Sequence, residues 1–411
     1  MIKKTLFAIL DQLAVSGSNF LTVILAAHFC RSEEVGKLSY LFTLYILTIL
    51  INTSAIFYSA PIINSRLEDK ESFNYHTWLL KSQIIIAVLL STLLTVFIVI
   101  FPQKLNWYPS HREITISFFY LFMQQVADFS RRANYIFSES QNAALSTIPM
   151  YVLRIILLGW LQPKDFNGVV TILISSAAPI ALLTLIKSLS SYKSTIERNI
   201  IYEHIAICKW ALASAPFSWF AFYIPMIYAG STHGLIFLGI LQSIRSIMNV
   251  GNILMELLET LIPRWLAQIS FEQGSIGIHM ASSYLIKISS IVWLIGILVI
   301  SMFHKPIINT LTPYEDGEFG LVLALFWVGI GIHCYSRISG LIHRVSLRPS
   351  IEYFGVIGCF IVAIASLPLI RYLELIGVAI VYILIPIGMI TAQITGHIIV
   401  KRRIVVDQHI K

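Results

Sequence analysis

Long apolar stretches, repeated along the whole chain, are the feature that most constrains its fold. A bilayer's hydrocarbon core is ~30 Å thick and a helix rises ~1.5 Å per residue, so about 20 residues cross it. Only 12% of the residues are charged, and the mean hydropathy is +0.78. These features predict an all-α polytopic membrane protein and exclude a soluble domain. Twelve candidate spans run approximately over 7–29, 38–60, 79–101, 114–136, 143–161, 167–187, 209–229, 234–256, 284–304, 319–340, 350–370 and 375–400.

The first stretch, 7–29, is interrupted by polar residues. Asp11 and Gln12 lie one turn from its start, and SGSN occupies 16–19. Hydrocarbon cannot supply partners for these groups, so the helix is expected to pack against other helices or to border a wet cavity. A cleaved signal peptide is the alternative, but the stretch is too long, carries a carboxylate and lacks a small-residue cleavage site. We therefore interpret it as a retained first span.

The distribution of Lys and Arg predicts the orientation. With the amino terminus inside, 20 of the 29 basic residues fall on the inner side and 7 on the outer side, while Arg154 and Arg245 lie within the membrane. This bias and an even number of spans place both termini in the cytoplasm. Basic inner loops also account for the net charge of +8, so no nucleic-acid partner is expected.

A cytoplasmic connection near the middle divides the chain. We expect an N-terminal six-helix lobe at 1–195, a linker at 196–208 and a C-terminal six-helix lobe at 209–411. The sequence from Ser18 weakly resembles that from Ser218, as parallel repeats would. Convergence of two apolar hairpins is the alternative.

Ionisable residues inside apolar stretches are the strongest functional signal, because a charge in a bilayer is costly and usually borders a cavity. Arg245 lies about halfway along its stretch, with Gln242 and Asn249 on the same helical face. Arg154 lies about two turns from the outer edge marked by Trp160. For Arg245 the alternative is an arginine satisfied by backbone carbonyls, and for Arg154 it is snorkelling to the interface.

The fourth stretch carries a mixed-charge face. Gln124, Asp128, Arg131 and Arg132 follow the i, i+4, i+7, i+8 spacing. They could line a cavity, or Asp128 and Arg132 could simply form an ion pair. Asp11 is expected to pair with an N-terminal lysine or with an arginine of another helix. A proton- or cation-coupling role is the functional alternative for it.

Enzyme signatures are missing from the sequence. It contains no HExxH, GxSxG or GxxxxGK[ST] motif. The four cysteines are scattered, with no CxxC pair. We therefore expect no catalytic residue, no metal and no cofactor.

The amino-terminal pattern resembles a known family. DQ at 11–12, SGSNF at 16–20, SEEVG at 32–36 and an aromatic second helix are similar to the bacterial polysaccharide repeat-unit flippases. These are the Wzx-type O-antigen transporters of the MOP (MATE-like) superfamily. The resemblance implies two six-helix lobes forming a V around a central cationic cavity, in the bacterial inner membrane. It also implies that undecaprenyl-pyrophosphate-linked oligosaccharide is moved from the inner to the outer leaflet.

We select the candidate site residues by their depth in the predicted spans and by the helical face that they occupy, and not by a family motif. The anion would be bound by Arg245, Arg154, Arg131 and Arg132. Sugar contacts would come from Asn19, Gln124, Gln125 and Asn249, and ion coupling from Asp11 and Asp128. The expected partners are the lipid-linked substrate, the bilayer, the O-antigen polymerase and the chain-length regulator.

Several other functions remain as alternatives. A multidrug exporter of the same superfamily would need acidic groups in its cavity. A lipid II flippase usually has more spans, and a membrane glycan polymerase or acyltransferase is favoured by a large outer loop. A scaffolding protein would be insensitive to changes at Arg245.

Overall fold

Every regular element that the structure describes is helical. The computed structural model describes residues 2–64, 66–100, 107–137, 140–190, 196–311, 319–345 and 349–409. The elements are α1 Ile2–Phe29, α2 Ser32–Asn52, a π-helical turn Thr53–Phe57, α3 Ala60–Asn64, α4 Asp69–Ile100, α5 His111–Phe137, α6 Ser140–Leu161, α7 Phe166–Ser190, α8 Arg198–Leu311, α9 Phe319–Val345 and α10 Pro349–His409.

The two longest helical stretches contain breaks. Gly234 (φ 87°) and Gly274 (φ 62°) interrupt α8, and Glu374 (φ 48°, ψ −123°) interrupts α10. Left-handed φ is a conformation in which a helix cannot continue. The break at Glu374 falls between the predicted spans 350–370 and 375–400, which the structure therefore separates where the sequence analysis did.

The described helices are long and apolar enough for a multi-pass membrane protein. Nine helical segments of the described residues meet a length and hydropathy criterion for spanning, and two of the nine, 198–248 and 353–398, are long enough to cross twice. The charged helix α5 is outside this set, but its 27 residues are long enough to cross once. The predicted fold class, an all-α polytopic membrane protein, is confirmed.

One helix boundary differs from its prediction. The connection assigned to 196–208 is already helical from Arg198 onwards. No Gly or Pro occurs between 198 and 215, so nothing in the local sequence ends the helix as it leaves the apolar stretch. The division into two six-helix lobes stays a prediction.

Capping contacts join the starts of α5 and α7 to α2. The Ser110 hydroxyl accepts from the Glu113 N–H at 3.2 Å, and Glu113 Oε2 accepts from the Ser110 N–H at 2.8 Å, forming a capping box. Glu34 of α2 accepts from the Phe166 N–H at 2.8 Å. Lys37 then bridges Glu34 and Glu113 at 2.7 and 3.3 Å. These contacts set the register of the three helices at one end of the bundle.

The chain forms two compact units. The first comprises Met1–Pro216 with Gly234–Ser243, and the second comprises Phe217–His233 with Ile244–Lys411. In the first unit α1 packs along α6, and α5 packs along α4 and α7; in the second, α9 packs along α10.

Within the first unit, α2 and the segment 234–243 approach closely. A Cβ on Gly36 would overlap the Leu235 carbonyl, and one on Gly239 would overlap the Ser32 carbonyl. Small residues at a crossing permit this approach of two membrane helices. The Ser39 hydroxyl donates to Gln242 Oε1 at 3.2 Å beside the crossing.

Candidate functional site

Asp11 is the centre of a polar network in the first unit. Its side chain is buried (0% exposed) and accepts from Arg131 at 3.2 Å and from the Tyr135 hydroxyl at 2.7 Å. The Thr147 hydroxyl donates to its other carboxylate oxygen. The partner of Asp11 is thus an arginine of another helix, one of the two pairings expected from the sequence.

The network continues along one face of α5. Asp128 pairs with Arg132 at 2.7 Å and with Arg131 at 3.4 Å. Arg132 also donates to the Thr53 hydroxyl at 3.0 Å, in the π-helical turn that follows α2. The i, i+4 ion pair considered from the sequence is therefore present. It belongs to a chain of alternating charges that links α1, α5 and the π-helical turn.

Arg154 has a different environment from Arg131 and Arg132. It is 3% exposed, and it donates to Gln124 Oε1 at 2.8 Å and to the Ser176 hydroxyl at 3.2 Å. Its guanidinium lies over the Tyr151 ring at 5.1 Å. Within the described ranges no carboxylate forms an ion pair with it. Arg154 is therefore held inside the helix bundle rather than extended towards the interface, and no acid in the described part of the chain balances its charge.

Arg245, in the second unit, resembles Arg154 in having aromatic and neutral neighbours among the described residues. Its guanidinium lies 4.5 Å from the Tyr223 ring centroid and 5.4 Å from that of Tyr382, and it contacts the Met226 sulfur. The Tyr382 hydroxyl donates to the Phe222 carbonyl at 2.7 Å, which orients that ring. No carboxylate in the described part of the second unit pairs with Arg245. Two aromatic faces stabilise the cation and leave it able to attract an anion.

The proposed sugar-contacting residues differ in how free their side chains are. Asn19 is exposed on α1. The Gln124 amide oxygen is used by Arg154. Gln125 joins three helices, because its amide donates to Ser91 at 3.1 Å and accepts from Asn52 at 3.3 Å.

Asn249 lies on α8, and its side chain is outside the part that the structure describes. Its predicted neighbour on that face, Gln242, is hydrogen-bonded to Ser39. The face predicted to unite Gln242, Arg245 and Asn249 is therefore described only in part.

The structure adds five neutral residues that the sequence analysis did not single out: Tyr135, Thr147, Ser176, Tyr223 and Tyr382. A local signal exists for Tyr135, which follows Arg131 by one helical turn. Each of the other four is distant in sequence from the charged residue that it contacts, so no i, i+3 or i, i+4 spacing connects the two. In the described residues, no group of three or more His, Cys, Asp or Glu side chains could hold a metal ion.

The helical architecture and the buried charges together define a class of protein, a multi-pass helical membrane protein with charged side chains inside its helix bundle. The particular fold follows from solved structures. An inward-facing multidrug resistance MATE family transporter of the MOP superfamily matches with a TM-score of 0.68 at 14% identity, over 98% of this chain and 95% of that chain. A multidrug resistance MATE family transporter of the MOP superfamily in an outward-facing conformation matches with a TM-score of 0.67 at 14% identity, over 98% of this chain and 95% of that chain.

A second match concerns a MOP superfamily transporter from Pyrococcus furiosus. It has a TM-score of 0.67 at 14% identity and covers 98% of this chain and 95% of that one. A reverse polarity of that transporter's binding pocket is said to suggest a different function. No family model matches the sequence of the present chain, and no curated protein matches it. The chain therefore has the MATE/MOP transporter fold, at an identity too low to define its substrate.

Proposed function

We propose that the protein is a flippase. It moves undecaprenyl-pyrophosphate-linked oligosaccharide, an O-antigen repeat unit, from the inner to the outer leaflet of the bacterial inner membrane by alternating access. Both termini are cytoplasmic, and the O-antigen polymerase and the chain-length regulator are the partners that would receive the product. The Wzx-like pattern near the amino terminus and the MOP fold support this choice.

The observation that carries the proposal is a pair of arginines, one in each unit, that have no acidic partner among the described residues. Arg154 is hydrogen-bonded only to neutral groups in the described chain, and Arg245 lies between two tyrosine rings. A cation kept unpaired inside a membrane protein is costly unless a ligand balances it. A pyrophosphate is such a ligand, because its oxygens accept paired hydrogen bonds from a guanidinium.

The paired arginines have another role in this proposal. Arg131 and Arg132 are balanced by Asp11 and Asp128. They would bind substrate only after one of those ion pairs opens. We therefore rank Arg154 and Arg245 first as anion ligands, and we assign Asp11 and Asp128 to ion coupling.

Multidrug export is the second candidate, because the matched MATE structures are named as multidrug transporters. A cationic drug needs a negative group to bind. Asp11 and Asp128, the embedded carboxylates of the described first unit, are both paired with arginine. This pairing favours an anionic substrate.

Complementation of a strain that lacks the gene tests the proposal. Surface O-polysaccharide is measured on gels after expression of wild type, Arg154→Ala, Arg245→Ala and the two Lys variants at matched membrane levels. We expect both Ala variants to lose most of the polymer, since one lost charged hydrogen bond of about 1.4 kcal/mol weakens binding about tenfold. Lys should rescue in part, because it keeps the charge and loses the forked geometry.

Arg66→Ala is the matched control. Arg66 is an exposed arginine in a surface ion pair with Glu203 at 2.9 Å, and its removal should leave polymer unchanged. Normal polymer in the deletion strain, or full activity of both buried-arginine Ala variants, would overturn the flippase proposal. Drug-efflux assays would then test the second candidate.

A further inference from the structure

The π-helical turn that follows α2 contacts two different helices, and the network described above includes only one of these contacts. From α5, Arg132 donates to the Thr53 hydroxyl at 3.0 Å, and its guanidinium lies 5.7 Å from the centre of the Phe57 ring. From α8, His204 Nε2 lies 2.8 Å from the Ala55 carbonyl oxygen. All of these residues belong to the first unit. The turn therefore joins the charge network to the beginning of α8.

The local sequence does not by itself require a π-helical turn at this place. The Tyr58 N–H donates to the Thr53 carbonyl at 2.8 Å, an i→i+5 bond in place of the i→i+4 bond of an α-helix. Pro61 disturbs the helix from Phe57 onwards, because its ring meets the carbonyl of the residue four positions earlier. Within the turn, TSAIF contains neither Gly nor Pro. Its backbone can therefore adopt either register, and contacts from other helices can select one of them.

Contacts at both ring nitrogens fix the orientation of His204, which is 3% exposed. A carbonyl only accepts hydrogen bonds, so Nε2 carries the hydrogen and donates to Ala55. In the neutral ring Nδ1 is then the acceptor for the hydroxyls of Tyr75 and Ser59, at 2.7 and 2.8 Å. The Trp78 ring packs edge-on against the imidazole at 5.1 Å. The Ala55 carbonyl is thus held by a side chain that cannot easily turn away.

Arg132 is the more accessible of the two arginines in the charge network. Its side chain is 27% exposed, against 10% for Arg131. Its guanidinium donates to Asp128 and to the Thr53 hydroxyl. Donors engaged in this way are not available to the oxygens of a phosphate. The contact with Thr53 therefore competes with any anion that Arg132 could bind.

We propose that the π-helical turn is a two-state coupling element that controls whether Arg132 can bind an anion. In one state His204 holds the Ala55 carbonyl, and the turn keeps the Thr53 hydroxyl on Arg132. In the other state the turn takes the α-helical register and releases Arg132. This inference rests on the proposed flippase function and deepens it, because it names what regulates one of the anion ligands.

The coupling is reciprocal. An anion that takes Arg132 away from Thr53 also loosens the hold of His204 on the turn, because both contacts depend on the same π-helical register. The helix that carries His204 begins in the first unit, and its chain continues into the second. Anion binding in the first unit would therefore change how the beginning of α8 is held.

Calorimetric titration of the purified full-length protein with inorganic pyrophosphate tests this inference. Thr53→Val removes the hydroxyl that accepts from Arg132, and His204→Phe removes the donor to the Ala55 carbonyl but keeps a ring. We expect each variant to bind pyrophosphate about tenfold more tightly, because a larger fraction of the protein has Arg132 available. The gain should disappear when Arg132→Ala is added. A merely damaged fold would lower the affinity, not raise it.

Thr48→Val is the matched control. Thr48 is buried on α2 and donates to the Tyr45 carbonyl, so this exchange leaves the partners of the turn in place and the affinity unchanged. His204→Gln should stay close to wild type, because an amide keeps one donor and one acceptor. Unchanged affinity in both Thr53→Val and His204→Phe, an equal gain in Thr48→Val, or a gain that survives Arg132→Ala would each overturn the coupling proposal.

Hydrogen exchange gives a second measurement that needs no ligand. The described contacts of Arg132 are with Asp128, Thr53 and Phe57. Coupling through the turn nevertheless predicts that Arg132→Ala speeds amide exchange about tenfold at 200–208 in α8, whereas Thr48→Val does not. A change confined to α5 and the turn would show that His204 does not respond to Arg132, and would contradict the proposal.

These results are separable from the complementation result. If wild type restores polymer while Thr53→Val and His204→Phe leave pyrophosphate binding unchanged, the coupling proposal fails and the flippase proposal stands. If wild type does not restore polymer but both variants gain affinity through Arg132, the flippase proposal fails and the coupling element stands as a control of anion binding. No pyrophosphate binding by any variant would overturn the coupling proposal.

Discussion

At the scale of single residues, the embedded arginines differ in how their charges are balanced. Arg131 and Arg132 share two carboxylates, whereas Arg154 is hydrogen-bonded to an amide and a hydroxyl. All three are arginines in apolar helices, so composition cannot separate them. Their different partners are the basis for proposing different roles, structural or switch-like for the first two and ligand-binding for the third.

Asp11→Asn should destabilise the protein. Asp11 is completely buried and accepts from three side chains, so the substitution leaves Arg131 with Asp128 as its one acid partner among the described residues. Breaking a buried ion pair from one side costs about 3–5 kcal/mol. We expect a clear drop in the thermal unfolding temperature of the detergent-solubilised protein, measured by fluorescence-detected size exclusion after heating.

Glu203→Gln is the control for that measurement. It removes a carboxylate from the surface ion pair with Arg66, which is worth at most about 1 kcal/mol. The double variant Asp11→Leu/Arg131→Met should recover part of the stability that Asp11→Asn loses, because no unpaired charge remains. Equal unfolding temperatures for Asp11→Asn and Glu203→Gln would contradict the proposed importance of the network.

At the scale of elements, the closest described helix contact in the first unit that depends on glycine lies between α2 and segment 234–243. Backbone carbonyls occupy the space that a Cβ would need at Gly36 and at Gly239. Hydrocarbon solvates lipid-facing surfaces as well as another helix does, so close backbone packing has to supply the attraction between membrane helices.

Gly36→Ala should weaken this crossing, since its Cβ would overlap the Leu235 carbonyl and a backbone atom cannot rotate away. Gly17→Ala is the matched control, because Gly17 has no atom within 4 Å of the added methyl in the described structure. We expect Gly36→Ala to lower the unfolding temperature and Gly17→Ala to keep or raise it, as alanine favours a helix by about 1 kcal/mol. The same heating assay measures both, and an unchanged Gly36→Ala protein would show that the helices can separate without cost.

At the scale of the whole molecule, the orientation in the membrane is a prediction from the Lys and Arg distribution. Tyr108, before α5, is 76% exposed, and Tyr202, near the start of α8, is 68% exposed. The predicted topology places Tyr108 outside and Tyr202 inside. Both positions are accessible enough to be probed chemically.

Cysteine labelling tests this topology in a variant whose four native cysteines are replaced. Tyr108→Cys should react with a membrane-impermeant maleimide in intact spheroplasts. Tyr202→Cys should react only after the membrane is permeabilised. The reverse pattern would invert the topology, and labelling of both sites in intact cells would contradict the assignment of spans between them.

The class of structure could be predicted from the sequence alone. Twelve apolar stretches predicted a helical membrane protein, and the break at Glu374 fell between two of them. The Asp128–Arg132 ion pair could also be predicted from the sequence, because residues i and i+4 are neighbours on any helix. These properties follow from local spacing and from the thickness of a bilayer, which act on each stretch separately.

Which charges meet depends on how the helices pack. Asp11 and Arg131 are 120 residues apart, and Arg245 lies between Tyr223, which precedes the break at Gly234 in α8, and Tyr382 of α10. Helical periodicity tells which face a residue occupies, but not which helix covers that face. Helix packing therefore decides which arginines pair with an acid and which have no acidic partner among the described residues. No local pattern in the sequence encodes that packing.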